Sequence, residues 1–171
     1  MIKTIKKSIA LISIFILCLC MLPTAQAKEV NPNTESQKII SEETINTAEY
    51  NITISVFEDI NNTNGITPLA STYEKSGKET YTAKNNDGDT LFSFTVHGTF
   101  SVQSGVSASC TKASYSYSIT DNIWELKSAS ASRSGNKAVG DAEFIKKILF
   151  ITVDSLEPHI VLTCDSNGKL S

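Results

Sequence analysis

The strongest constraint on the fold is a segment, residues 92 to 102, in which apolar and polar side chains alternate without interruption. One face carries Phe92, Phe94, Val96, Gly98, Phe100 and Val102, and the other carries Ser93, Thr95, His97, Thr99 and Ser101. Because successive side chains of a strand point to opposite faces, this pattern predicts a long strand that is buried on one side. Gly98 in its middle predicts a bulge or a bend.

Shorter segments with the same period follow this strand, and turn residues separate them. The predicted strands cover residues 50–56, 80–83, 113–119, 124–131, 138–144 and 160–164, and the predicted turns cover 85–88, 121–122, 134–136 and 165–168. Such a series, without a convincing long helix, predicts an all-β chain. We expect an antiparallel β-sandwich (Ig-like or a small barrel) of about six to eight strands.

Two segments allow more than one interpretation. Thr34 to Ala48 has a thin stripe of isoleucines that is typical of a weak helix. Ile148 to Val153 is continuously apolar, so it is either a buried strand or a short helix. Its β-branched residues favour the strand.

The first 27 residues have the order of features found in a cleavable secretory signal peptide. A lysine-containing start (Lys3, Lys6 and Lys7) precedes an apolar run from Ile9 to Leu22, and Ala25-Gln26-Ala27 follows. The run is shorter than the roughly 20 residues that span a bilayer as a helix. We therefore expect a secreted, extracellular protein that begins at Lys28 and has no transmembrane anchor.

Composition divides the remaining chain near residue 70. Residues 28–70 are polar and contain one candidate strand, so they are interpreted as a linker, a pro-segment or one extra strand. Residues 71–171 contain Trp124 and most of the phenylalanines, and they are predicted to form the β-sandwich domain. We expect that domain to fold without residues 28–70, because the earlier segment has little apolar surface to offset its ordering entropy.

Charge and cysteine content limit the partners and the compartment. Loss of three of the 15 basic residues with the signal leaves 12 against 18 acidic residues, a net charge of −6. This balance argues against nucleic acid or an anionic membrane surface as partner. Cys18 and Cys20 also leave with the signal, so Cys110 and Cys164 are predicted to form one disulfide in an oxidising compartment.

Motifs for catalysis are weak. No G-x-S-x-G element occurs, and S-x-x-K occurs three times, which is background for a serine-rich chain. A hydrolase would need His97 or His159 as its base, near a hydroxyl and a carboxylate. His97 lies on the polar face of its strand and His159 follows Pro158 at a strand start, so both are expected to be solvent-exposed.

Ligand-binding patterns are equally weak. Residues 85–89 and 165–168 are rich in oxygen-bearing side chains, but the last ligand position of an EF-hand register falls on Phe94 or beyond the last residue. These clusters are interpreted as hairpin turns, and no metal or other cofactor is predicted. Tyr115, Tyr117 and Trp124 are the residue types that stack on sugars, yet alternating aromatic residues in strands usually pack a core.

The chain resembles a group of small secreted proteins of low-GC Gram-positive bacteria. The resemblance lies in residues 128–132, 134–138, 162–165, 167–168 and 170–171. The likeness covers roughly residues 71 to 171. It implies a secreted β protein and assigns no activity and no catalytic residues.

Together these patterns predict a secreted, non-enzymatic β domain that binds or supports a component at the cell envelope or outside the cell. The partner is left open between an envelope component and a protein. Two alternatives remain: a small extracellular hydrolase that uses His97 or His159, and a secreted toxin or bacteriocin-type protein.

Overall fold

The computed structural model describes residues 36–60 and 72–171. The predicted signal peptide (1–27), residues 28–35 and the predicted loop around Asn61 to Gly65 lie outside the described residues. The described part belongs to one compact unit, Glu35–Ser171. None of its residues forms a helix that is long and apolar enough to cross a membrane.

The described chain consists of nine strands joined by turns. In chain order they are β1 (Ser36–Asn46), β2 (Asn51–Ile60), β3 (Thr72–Lys84), β4 (Thr90–Gln103), β5 (Ser107–Ile119), β6 (Trp124–Ser134), β7 (Lys137–Ile148), β8 (Ile151–Leu156) and β9 (His159–Thr163). All pairings are antiparallel. The predicted all-β antiparallel sandwich is confirmed. Seven of these strands, β3 to β9, lie after residue 70, in agreement with the expected six to eight, and β1 and β2 precede them.

The strands form two sheets. The first is a five-stranded meander in the order β1-β2-β3-β4-β5. In the second sheet β7 is central, with β6 on one side and both β8 and β9 on the other. Strand β9 pairs with the first half of β7 and β8 with its second half, so residues 157–158 interrupt one edge of this sheet. Pro158 suits this place because it cannot donate a ladder hydrogen bond.

The core lies between the sheets and follows the alternation of β4. All six apolar-face positions of residues 92–102 are buried, and the polar-face positions are half-buried or exposed. The predicted irregularity lies next to Gly98, because the pairing with β5 shifts register between Thr99 and Phe100. A Cβ atom on Gly98 would lie 2.7 Å from the Phe100 ring. Glycine is therefore required here by the packing of that ring.

Residues 36–60 belong to the same sheet, which differs from the boundary expected at residue 70. Pairing of β2 with β3 is continuous from Asn51↔Lys84 to Glu58↔Gly77, so the predicted strand over 50–56 is present and longer. The segment expected to form a weak helix is strand β1, which pairs with β2. Tyr50 and Val56 join the hydrophobic core. Pairing with β2 overrides the weak helical pattern, although β1 itself is mostly exposed.

One acidic residue faces the core. Glu79 on β3 pairs with Val56 on one side and Val96 on the other, and both valines are buried. Its Oε2 atom is buried without a hydrogen-bond partner within the described structure. Burial raises the pKa of Glu79, and the hydrogen bond from the Val161 backbone and the charge of His159 oppose that rise only in part.

Replacement of this carboxylate by an amide should change how stability depends on pH. Because the folded state raises the pKa of Glu79, it binds a proton more readily than the unfolded chain does. The wild type should therefore gain stability relative to Glu79→Gln as the pH falls from about 8 toward the ordinary glutamate value of 4.5. Urea unfolding of both proteins across this range measures the difference. A difference that stays constant with pH would contradict the assignment.

Candidate functional site

The most exposed apolar surface of the described structure is the hairpin that joins β7 to β8. At its tip Phe150 is 99% exposed and Leu149 is 84% exposed. The flanking Ile148, Ile151 and Val153 are also more than half exposed. We call these five residues the β7–β8 tip. Isolated exposed apolar residues are ordinary on protein surfaces, whereas a contiguous group marks an interaction site.

The tip is a two-residue turn in which neither central residue is glycine. Ile148 pairs with Ile151, and the two residues between them have positive φ angles, 48° for Leu149 and 69° for Phe150. Positive φ at both central positions defines a type I′ hairpin turn, which matches the twist of the flanking strands. Such turns favour Asn-Gly because bulky L-residues are strained in this region.

Leu149 and Phe150 are therefore unfavourable for the stability of the fold in two ways. Each non-glycine residue held at positive φ costs about 1–3 kcal/mol. The apolar side chains of Leu149 and Phe150 gain nothing by burial, because both are exposed to solvent. A turn of the form Asn-Gly would avoid both disadvantages. The tip has features that folding alone does not explain.

Lysines and carboxylates lie close to one another at the base of the tip. Lys147 Nζ lies 2.5 Å from Glu125 Oε2 on the neighbouring β6. Lys146 is directly opposite Asp154 across the β7–β8 pair. The Asp154 carboxylate also accepts a hydrogen bond from the Tyr50 hydroxyl. Burial and this carboxylate raise the pKa of Tyr50, so the phenol remains a proton donor at neutral pH.

The expectation of a single strand or helix over Ile148–Val153 does not match the structure. The run contains the end of β7, the turn and the start of β8, and it is exposed rather than buried. It escaped recognition because it lacks glycine, proline, asparagine and aspartate, the residues that usually indicate a turn. The length of the segment was the one feature of the sequence that could have indicated a turn here. A continuous strand from Ala138 to Val153 would exceed the usual 3–10 residues.

The two histidines lie on the outer faces of different sheets, so they do not converge. His159 is exposed on β9, and its Nδ1 lies 2.7 Å from Asp141 Oδ1 on β7. Ser130 on β6 pairs with the opposite side of Asp141. The order across the sheet is serine, aspartate, histidine, which places Ser130 and His159 two strands apart, about 9–10 Å. A base needs to lie within hydrogen-bond reach of its nucleophile. These residues do not form such a triad.

His97 is exposed on β4, as expected from the polar face of that strand. Its Nε2 lies 3.0 Å from Ser116 Oγ on β5. The residue opposite His97 on β3 is Lys78, a cation.

The oxygen-rich clusters serve as turns, as predicted. In the first, Asn85 Oδ1 accepts a hydrogen bond from the Asp89 backbone at 2.8 Å. In the second, Asp165 Oδ1 accepts from the backbones of Asn167 at 2.8 Å and Lys169 at 2.9 Å. The described residues contain no group of three or more side chains suited to hold a metal ion.

The aromatic residues considered for sugar stacking lie in different environments. Trp124 is buried, as predicted for a core residue, and its ring centroid lies 5.1 Å from that of Phe92. Tyr115 and Tyr117 were expected to pack in the core, but they are 41% and 51% exposed. Tyr117 nevertheless makes an edge contact with Phe144, with ring centroids 6.3 Å apart. The three rings therefore do not share an exposed platform.

The disulfide predicted between Cys110 and Cys164 is not formed in the structure. Both residues are buried free thiols and are not at disulfide distance. Each sulfur instead makes a local contact with a carbonyl oxygen, that of Lys112 at 3.2 Å for Cys110 and that of Asp165 at 3.6 Å for Cys164. Pairing of the two sulfurs would require both side chains to leave these contacts.

The buried thiols should react slowly in the folded protein. Burial raises the pKa of both thiols, that of Cys164 to about 11 with a further contribution from Asp165. Because the thiolate is the reactive form, we expect little reaction with Ellman's reagent at neutral pH. Denaturation without reductant should release two reactive thiols per chain that begins at Lys28. No reactive thiol after denaturation would mean that the disulfide forms in the secreted protein.

No protein-family model, curated protein or solved structure matches this chain. The functional site is therefore inferred from its own geometry, and the β7–β8 tip is the strongest candidate.

Proposed function

We propose that the protein is a secreted, non-enzymatic binding domain that acts at the cell envelope or outside the cell, and that it binds through the β7–β8 tip. The observation that carries this proposal is the full exposure of Phe150 in a turn whose backbone disfavours it. Residues in strained backbone conformations concentrate at functional sites.

The energetic consequences support a binding role. Complete burial of a leucine or phenylalanine side chain contributes about 1.5–3 kcal/mol. Transfer of Leu149 and Phe150 from water to an apolar partner therefore supplies several kcal/mol, and each 1.4 kcal/mol corresponds to a tenfold change in affinity. Few residues usually carry most of the affinity of an interface, and aromatic anchors are prominent among them.

Location at the envelope is supported by the predicted signal peptide, residues 1–27. An exported chain with net charge −6 meets envelope components after it leaves the membrane. The sandwich holds the tip at one end of the β7–β8 hairpin, where the five apolar side chains are accessible. This arrangement suits a domain that presents a small contact region on a stable scaffold.

A binding assay with a tip variant tests the proposal. The double variant Leu149→Asn/Phe150→Gly, which we call the Asn-Gly tip variant, keeps the turn type and removes the apolar side chains. The exported chain should sediment with intact Gram-positive cells, and the Asn-Gly tip variant should lose at least tenfold in affinity. Fluorescently labelled protein at several concentrations gives both affinities.

Val106→Asn is the matched control. Val106 is an apolar residue that is 68% exposed in the turn between β4 and β5, and its replacement should leave binding unchanged. Equal loss of binding in the control would indicate a general effect of surface hydrophobicity. Full binding by the Asn-Gly tip variant would show that the tip is not the contact.

A further inference from the structure

We propose that the partner of the β7–β8 tip is the interfacial region of a phospholipid bilayer, into which Leu149 and Phe150 insert. This inference rests on the proposed binding function and names its partner. The tip is convex, with its most exposed side chains at its end. A fluid acyl-chain layer adapts to such a protrusion.

The length of the apolar end matches the depth of the interface. Lys147, which pairs with Thr152 across the hairpin, marks where charged residues begin, and Lys146 and Asp154 lie one level further from the turn. Two residue steps separate the level of Lys147 and Thr152 from Leu149 and Phe150, or about 7 Å at the rise of a β-strand. Apolar groups of interfacial proteins enter about 5–10 Å into the boundary between headgroups and acyl chains. The charged residues would then remain among the headgroups.

The charged residues around the base of the tip favour binding by insertion of apolar side chains over binding by electrostatic attraction to anionic lipids. Lys147 forms an ion pair with Glu125, and Lys146 lies opposite Asp154. With both lysines next to carboxylates, this region has no excess positive charge to bind an acidic surface. The net charge of −6 for the exported chain opposes such attraction as well. A neutral, zwitterionic bilayer is the acceptor that this pattern fits.

A second copy of the chain is a poorer occupant. Stable protein–protein interfaces bury about 800 Å² on each partner and involve roughly 20–30 residues a side. The tip offers five apolar residues at the end of a two-stranded hairpin. Two such ends do not provide an interface of that size.

Flotation with protein-free vesicles tests the proposal. The exported chain should float with phosphatidylcholine vesicles, and the Asn-Gly tip variant should bind at least tenfold more weakly. Val106→Asn should bind as the wild type does. Added phosphatidylglycerol should not strengthen binding and salt should not abolish it, because insertion of apolar side chains drives the binding.

The outcomes separate this inference from the proposed function. Tip-dependent binding to cells without binding to vesicles would overturn the lipid partner and leave the binding function intact. Equal vesicle binding by the Asn-Gly tip variant would overturn insertion by the tip. Vesicle binding that requires phosphatidylglycerol and disappears in salt would overturn the neutral bilayer as acceptor. Absence of tip-dependent binding to both cells and vesicles would overturn both proposals.

Discussion

A chain that begins at Ser71 should be several kcal/mol less stable than a chain that begins at Lys28. It would lack Val56, whose burial contributes about 1.5–3 kcal/mol. It would also lack the edge contact between Tyr50 and Trp124, with ring centroids 5.8 Å apart, worth about 0.5–1.5 kcal/mol. The backbone edge of β3 would lose its partner, β2. This prediction is the opposite of the expectation, based on composition, that residues 28–70 are dispensable.

Thermal unfolding of both chains measures this effect. We expect the midpoint of the shorter chain to fall by more than about 8 °C, which corresponds to at least 1–2 kcal/mol for a domain of this size. A chain that begins at Glu35, where the compact unit begins, is the control and should match the chain that begins at Lys28. Unchanged stability of the Ser71 chain would show that β1 and β2 pack on an already complete fold.

The Asn-Gly tip variant should be more stable than the wild type by about 2 kcal/mol or more. Leu149 and Phe150 both have positive φ, which costs about 1–3 kcal/mol for each non-glycine residue. Asparagine and glycine adopt this conformation at much lower cost. The replacement removes no buried side chain, because both residues are exposed. Loss of binding together with a gain in stability is typical of a functional residue kept at the expense of the fold.

Chemical denaturation of the two proteins tests this expectation. The urea midpoint should rise without a change in slope, because the surface exposed on unfolding hardly differs. Val106→Asn controls for the removal of an exposed apolar side chain and should leave the midpoint nearly unchanged. A variant less stable than the wild type would mean that Leu149 and Phe150 stabilise the fold, which would contradict this prediction.

The sequence predicts the fold best where the alternation of apolar and polar residues coincides with the burial of one face. Strand β4 is the clearest example, since the alternation from Phe92 to Val102 agrees with its burial along the whole segment. The turns at residues 85–88 and 134–136 were recognisable because Gly88 and Gly135 take the positive φ angles that glycine favours. Local chemistry and global packing agree at these positions.

Prediction failed where tertiary pairing overrides a weak local pattern. Strand β1 has few apolar residues, and its pairing with β2 was not visible in its own sequence. The β7–β8 tip has the composition of a buried strand, but it turns and remains exposed. Position along the chain also did not reveal that Cys110 and Cys164 contact local carbonyl oxygens instead of each other.

The most direct test of the tip as the binding contact is the fluorescence of Phe150→Trp in the presence of Gram-positive cell envelopes. The native Trp124 is buried and should report little change, so the added indole dominates the response. We predict a shift of its emission to shorter wavelength on binding, because the side chain moves from water to an apolar environment. Val106→Trp serves as the control and should show no shift. Binding of the Phe150→Trp protein with an unchanged, water-exposed emission spectrum would contradict the central claim.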